Sequence, residues 1–155
     1  MESKIINKSL KYMFKRDKLE LNNSYIGIFD INNFQSLKIH LYKNCSLICF
    51  LNTISDVRGH WVSIFKINNK LYFIDSYGYS PIVYYNLHIK NNYMKFTNYL
   101  SIKYQSDLST SCGAYCIFFI YIFILCNYNI KRIEKITNFF FHQIEGVTIK
   151  NLLNL

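Results

Sequence analysis

The stretch Gly59–Gly78, GHWVSIFKINNKLYFIDSYG, decides how this chain folds. Two apolar runs, Trp61–Ile67 (WVSIFKI) and Leu71–Ile74 (LYFI), flank Asn68-Asn69, and asparagine accepts a positive φ more readily than most residues. The pattern predicts an antiparallel hairpin. Counting back from the turn sets position 61 against position 76, so His60 and Asp75 come out near one another at the open end. A base and the carboxylate that orients it need that proximity.

A nucleophile for this pair lies further along. Residues 113–126, GAYCIFFIYIFILC, are apolar almost all round; a run of about 14 residues is short of the 18 to 20 that cross a bilayer, so it predicts a buried central helix. Cys112 follows Ser109-Thr110-Ser111 and falls at the start of that helix. Unpaired N–H groups and the positive end of the helix dipole favour a thiolate there. An arbitrary cysteine is far more often a small core residue, and it is the position at a helix start that selects Cys112. Gly113 lets a substrate backbone come close. Gln105, in Tyr104-Gln105-Ser106-Asp107, has a side-chain amide able to serve a developing oxyanion together with the backbone N–H of Cys112. Alone it reads as a solvent-exposed glutamine; only the set gives it a role.

The remaining cysteines, Cys45, Cys49, Cys116 and Cys126, lie in or beside apolar runs and read as packing residues. Five cysteines are an odd number, and the first residues carry charge every few positions with no apolar signal-peptide run, so a disulfide framework is not expected. Cys112 and Cys116 have no matching His/Cys pair elsewhere at metal-ligand spacing, and no metal is expected. His40, His88 and His142 read as structural. A location in nucleus or cytoplasm follows from this reading.

With 155 residues, 51% hydrophobic and 17% charged, the chain has the profile of a single globular domain spanning residues 1–155 rather than a disordered one. A net charge of +9 favours an anionic partner such as non-specific DNA. Codon bias offers a competing explanation: Ile (23), Asn (18), Lys (15), Tyr (14) and Phe (13), all drawn from A/T-rich codons, make up over half the chain. The lysines read as scattered, densest over Lys11, Lys15, Arg16 and Lys18, and three arginines are few for reading bases.

Residues 4–19 place Ile5, Ile6, Leu10, Met13 and Phe14 at helical spacing among lysines, an amphipathic first helix with membrane-surface contact as its alternative use. Tyr25–Asp30 reads as a turn or short strand and Ser46–Asn52 as a strand. Residues 79–93 read as loop leading into either helix or strand, and the tail from Lys131 as a peripheral helix covering one face of the sheet.

Gly27-Ile28-Phe29-Asp30, Gly59-His60-Trp61, Phe73-Ile74-Asp75-Ser76-Tyr77-Gly78 and Gln105…Ser111-Cys112-Gly113-Ala114-Tyr115-Cys116 together resemble the adenovirus protease (adenain) family. More distantly, they are similar to the ubiquitin-like-protein-specific proteases that process SUMO. The resemblance covers roughly residues 25–126, and the order His, Asp, Gln, Cys is particular to that clan. It implies an α+β fold with a mixed, mainly antiparallel sheet packed against a central helix carrying the cysteine. It also implies Cys112 as nucleophile, His60 as general base and acid, Asp75 as orienting carboxylate, Gln105 as oxyanion donor, and Trp61 lining a narrow substrate channel. Adenain has Glu where this chain has Asp75; the SUMO proteases have Asp.

The function so implied is a cysteine endopeptidase, of viral kind, cutting capsid or core precursors after Gly-containing sites during virion maturation. The alternative is a deubiquitinase- or deSUMOylase-like isopeptidase acting on host conjugates. A reading from another class is an inactive nucleic-acid-binding or scaffold protein on the same fold. Protein substrates are the expected partners, with non-specific DNA beside them and no membrane. No cofactor is required, although the family suggests an activating peptide or DNA. Two departures stand out: no cysteine lies between Cys49 and Cys112 to anchor adenain's disulfide-linked peptide, and helices after the central one are expected to be missing or shortened.

Overall fold

The structure, a computed structural model, describes residues 2–19, 25–51, 59–81, 96–98, 103–106 and 109–143. In chain order these form α1 (Ser3–Arg16), β1 (Tyr25–Asp30), two short 3-10 turns (Ile31–Ser36 and Ile39–Leu41) and β2 (Asn44–Leu51). The hairpin strands β3 (His60–Ile67) and β4 (Lys70–Ile74) follow, then β5 (Phe96–Asn98), α2 (Cys112–Leu125) and α3 (Ile130–Gln143).

The hairpin takes the register that the Asn-Asn turn dictates. Ile67 lies opposite Lys70 and Ser63 opposite Ile74, with Asn68 in the left-handed region at φ 53°. β2 pairs antiparallel with β3 from Asn44↔Ile67 to Leu51↔His60. β1 and β5 add to the two edges in parallel, giving one mixed sheet in the order β1-β2-β3-β4-β5. The three central strands are antiparallel and the edges are not, because a parallel neighbour needs a long crossover that no local turn signal announces.

Both faces of the sheet are covered, which is why β2 and β3 read as near-continuous apolar runs rather than clean alternations. On one face Ile48, Trp61, Phe65, Ile67, Tyr72 and Ile74 pack against α2 and α1. On the other, Leu47, Cys49, Val62, Ile64, Leu71 and Phe73 pack against Ile31, Phe34 and Ile39. Lys66 interrupts this second face; the residue is buried, and its Nζ donates to the carbonyls of Tyr42 and His40, so the buried polar group is hydrogen-bonded.

α2 is apolar all round because it has the sheet on one side and α1 on the other. Phe123 stacks on Phe65 of β3 with ring centroids 3.6 Å apart, and on the far side Tyr121 meets Phe14 edge-on and donates its hydroxyl to Asp17 at 2.7 Å. Phe123 is fully buried, so Phe123→Ala is expected to cost about 3–5 kcal/mol, read as a lower urea midpoint. Among the described residues no helix is long and apolar enough to cross a membrane.

α1 buries Ile6, Ser9, Leu10, Met13 and Phe14. Its lysines correct the expectation of scatter: Lys4, Lys8, Lys11 and Lys15 are all exposed and fall on one outward face, because steps of four, three and four residues return to the same side of a helix. α3 follows the central helix where a helix was expected from Lys131 onward, and its Ile133 and Thr137 are buried. Of residues 79–93, positions 82–93 lie outside the described residues, as does His88.

Candidate active site

His60 begins β3, and Asp75 directly follows β4. Continuing the hairpin register from Ser63↔Ile74 sets Asp75 against position 62 and Tyr77 against position 60. His60 and Asp75 therefore share one face as diagonal neighbours, within reach of long side chains. The bond that results is short and buried: His60 Nε2 lies 2.7 Å from Asp75 Oδ1, with His60 6% and Asp75 1% exposed. Gly59 gives the chain its entry to β3 at φ 62°, where an added Cβ would fall 2.1 Å from the Phe50 ring. Phe50 in turn packs on Trp61, ring centroids 4.6 Å apart.

Asp75 is held by its own turn. Its Oδ1 also accepts the Tyr77 N–H at 2.8 Å, and its carbonyl accepts the Gly78 N–H at 2.9 Å, with Gly78 at φ 77°. That is why the sequence runs Asp-x-x-Gly here: the aspartate closes the turn through its side chain and glycine takes the left-handed position.

Cys112 is the first residue of α2 and remains partly exposed, whereas Cys45, Cys49, Cys116 and Cys126 are buried; none of the five forms a disulfide. The thiol meets the His60 imidazole, the backbone N–H of Trp61 and that of Gly113. With Nε2 committed to Asp75, the nitrogen left for the thiol is Nδ1.

Burial alone would push the Cys112 thiol up, but the His60 hydrogen bond, the Trp61 and Gly113 N–H groups and the imidazolium charge outweigh it and hold the thiol below its usual value. Burial likewise opposes a charge on His60, yet Asp75 and Cys112 together raise the imidazole to about 9. The pair thus favours thiolate and imidazolium over the neutral forms. The other thiols go the opposite way: burial pushes Cys45 up to about 11 and raises Cys49, Cys116 and Cys126.

A reactivity difference follows from these directions. At pH 7 iodoacetamide is expected to alkylate Cys112 well before the other four thiols, as peptide mapping by mass spectrometry would read. The Cys112 rate should fall as acid protonates the thiolate. Turnover should also fall above about pH 9, as His60 loses its proton.

Gln105 is 1% exposed, not the surface glutamine its local sequence suggests. Its Oε1 accepts the Ser76 hydroxyl at 2.6 Å, and its Nε2 donates to the Ser109 carbonyl at 2.7 Å and to Tyr77 Oη at 3.2 Å. Both amide hydrogens are engaged, the contact to Tyr77 being the longer. Among the described residues no three His, Cys, Asp or Glu side chains gather into a group that could hold a metal ion.

Cys112, His60 and Asp75 are brought together, with Gln105 one hydrogen bond from the Asp75 turn and Trp61 and Gly113 touching Cys112 through their backbones. Sequence reasoning missed Ser76 and Tyr77, which join these parts. Extending the register by one pair, to 60 against 77, was the signal that would have found Tyr77.

No protein-family model matches this chain, and no curated protein matches it. Among solved structures it is similar to the Chlamydia trachomatis effector protein ChlaDUB1, with 12% identity and a TM-score of 0.36, over 97% of this chain and 71% of that one. A likeness so slight carries neither fold nor function.

Proposed function

We propose that this chain is a cysteine peptidase of the adenain and SUMO-protease kind. One observation carries the reading: a partly exposed thiol at a helix start, lowered by contact with an imidazole whose other nitrogen is 2.7 Å from a buried carboxylate. In this reading Cys112 Sγ attacks the scissile carbonyl carbon and His60 passes its Nδ1 proton to the departing amine, leaving a thioester. Water then attacks the thioester carbonyl as His60 takes a proton from it, releasing the acid and restoring the Cys112 thiolate and the His60 imidazolium. Asp75 holds the imidazole throughout.

The oxyanion would be met by the backbone N–H of Cys112 and the amide of Gln105. On that role Gln105→Ala lowers kcat by about 10²-fold to 10³-fold with KM little changed, since such a donor acts mainly in the transition state. Steady-state kinetics separates this from substrate binding, which would move KM.

Of the two substrate classes, ubiquitin-like conjugates are the one proposed. The Tyr77 ring over His60 leaves bulk near the nucleophile, which suits Gly-rich C-terminal tails better than larger residues; the Trp61 ring, expected to line the channel, is instead buried against Phe50. The test is labelling by ubiquitin and SUMO C-terminal vinyl sulfones. A covalent adduct on Cys112, absent in Cys112→Ala, is expected. Failure of both probes, with cleavage of unmodified protein substrates intact, would make the enzyme an endopeptidase of another specificity.

A further inference from the structure

We infer that Tyr77 is a positioning residue that holds the base, the carboxylate and the nucleophile's approach segment in one arrangement. The inference rests on the cysteine-peptidase reading. Three different parts of Tyr77 reach three different parts of the site. Its ring lies over the His60 imidazole, centroids 4.8 Å apart and planes at 32°, as expected for residues set opposite each other at the end of a hairpin. Its backbone N–H donates to Asp75 Oδ1 at 2.8 Å, the same oxygen that His60 Nε2 engages.

Its hydroxyl does the third task. Tyr77 Oη donates to the Ser109 carbonyl at 3.0 Å and accepts from Gln105 Nε2 at 3.2 Å. Ser109 lies three residues before Cys112, so the hydroxyl fixes the segment that delivers the nucleophile. Around it, the Ser76 carbonyl accepts the N–H groups of both Tyr104 and Gln105 at 2.8 Å, and Gln105 Nε2 bonds the same Ser109 carbonyl at 2.7 Å. The Asp75 turn and the Cys112 approach, distant in sequence, are thereby tied into one unit.

Tyrosine is the side chain this place requires, because it joins a planar face to a polar tip. Without the face, the imidazole can swing away from Asp75; its imidazolium form is then less favoured, and the Cys112 thiol returns toward its ordinary value. Without the hydroxyl, the Ser109 carbonyl keeps only the Gln105 bond, and Cys112 is held less firmly against Nδ1. A displacement near 1 Å at such a site is enough to cost about 100-fold in rate.

The experiment is the rate of Cys112 alkylation by iodoacetamide, at pH 6 and at pH 10, in Tyr77→Leu and Tyr77→Phe. It needs no substrate. At pH 6, where ionisation depends on His60, Tyr77→Leu should react about tenfold more slowly than wild type, and Tyr77→Phe, which keeps the ring, about threefold more slowly. At pH 10, where the thiol ionises unaided, all three rates should converge. A merely structural role would move both pH values together and lower the thermal midpoint in step. Wild-type rates in both variants at pH 6 would overturn the inference, as would equal slowing at pH 6 and pH 10. Should Tyr77→Leu not fold, Tyr77→Phe decides alone, a wild-type rate at pH 6 being the overturning result. If Cys112 in the unsubstituted chain reacts no faster at pH 6 than an ordinary thiol, the peptidase reading itself fails, whatever Tyr77 does.

Discussion

Cys112→Ala is expected to bring peptide hydrolysis down to the background rate, a loss on the order of 10⁶-fold in kcat. In the peptidase reading the side chain removed supplies the bond-forming atom, and no other thiol replaces it: Cys116, one turn further along α2, is buried and its thiol raised well above the usual range. The fold should survive, because Cys112 sits partly exposed at the start of α2 and removal of its sulfur opens no enclosed void. His60→Ala should lose about as much. The double variant should be no worse than either single one, since nucleophile and base act as a unit and their losses do not add. Initial rates on a fluorogenic substrate, with circular dichroism to verify folding, measure all three. Additive losses would mean that His60 serves something other than Cys112.

Asp75→Asn is expected to lose less, about 10²-fold to 10⁴-fold in kcat. Asparagine can still close the turn by accepting the Tyr77 N–H that Asp75 Oδ1 now takes at 2.8 Å. It cannot balance the imidazolium, because it carries no charge. The pH profile supplies the sharper check. Burial lowers the His60 value, and it is the Asp75 carboxylate and Cys112 that raise it to about 9. Without the carboxylate, the imidazole therefore loses its proton at lower pH, and the alkaline fall in activity should begin sooner. An unchanged alkaline limb would place its control elsewhere.

The parts of this site that were legible from sequence are those with a local signal. The Asn68-Asn69 turn fixed the register of β3 and β4, and with it the meeting of His60 and Asp75. The apolar run after Cys112 marked α2 and put the thiol at its start. The burial of Gln105 was not legible locally, because it depends on Ser76 and Ser109, residues brought to it only by tertiary docking. The parallel edge strands β1 and β5 were harder, as their partners are chosen by crossovers and not by turns. The lysine face of α1 is visible at helical period and invisible to a count of neighbours along the chain, which is how Lys4, Lys8, Lys11 and Lys15 came to look scattered.

The split of the site between a hairpin and a later helix has a consequence for the order of events during synthesis. Base and carboxylate leave the ribosome together, close in sequence and able to pair within their own hairpin. The nucleophile follows Asp75 by about 37 residues, roughly 2 to 7 seconds at ordinary translation rates, and takes its place only once α2 has docked beneath the sheet. A nascent chain thus carries His60 and Asp75 for a time without Cys112, and whatever activity the finished protein has begins only after α2 has docked.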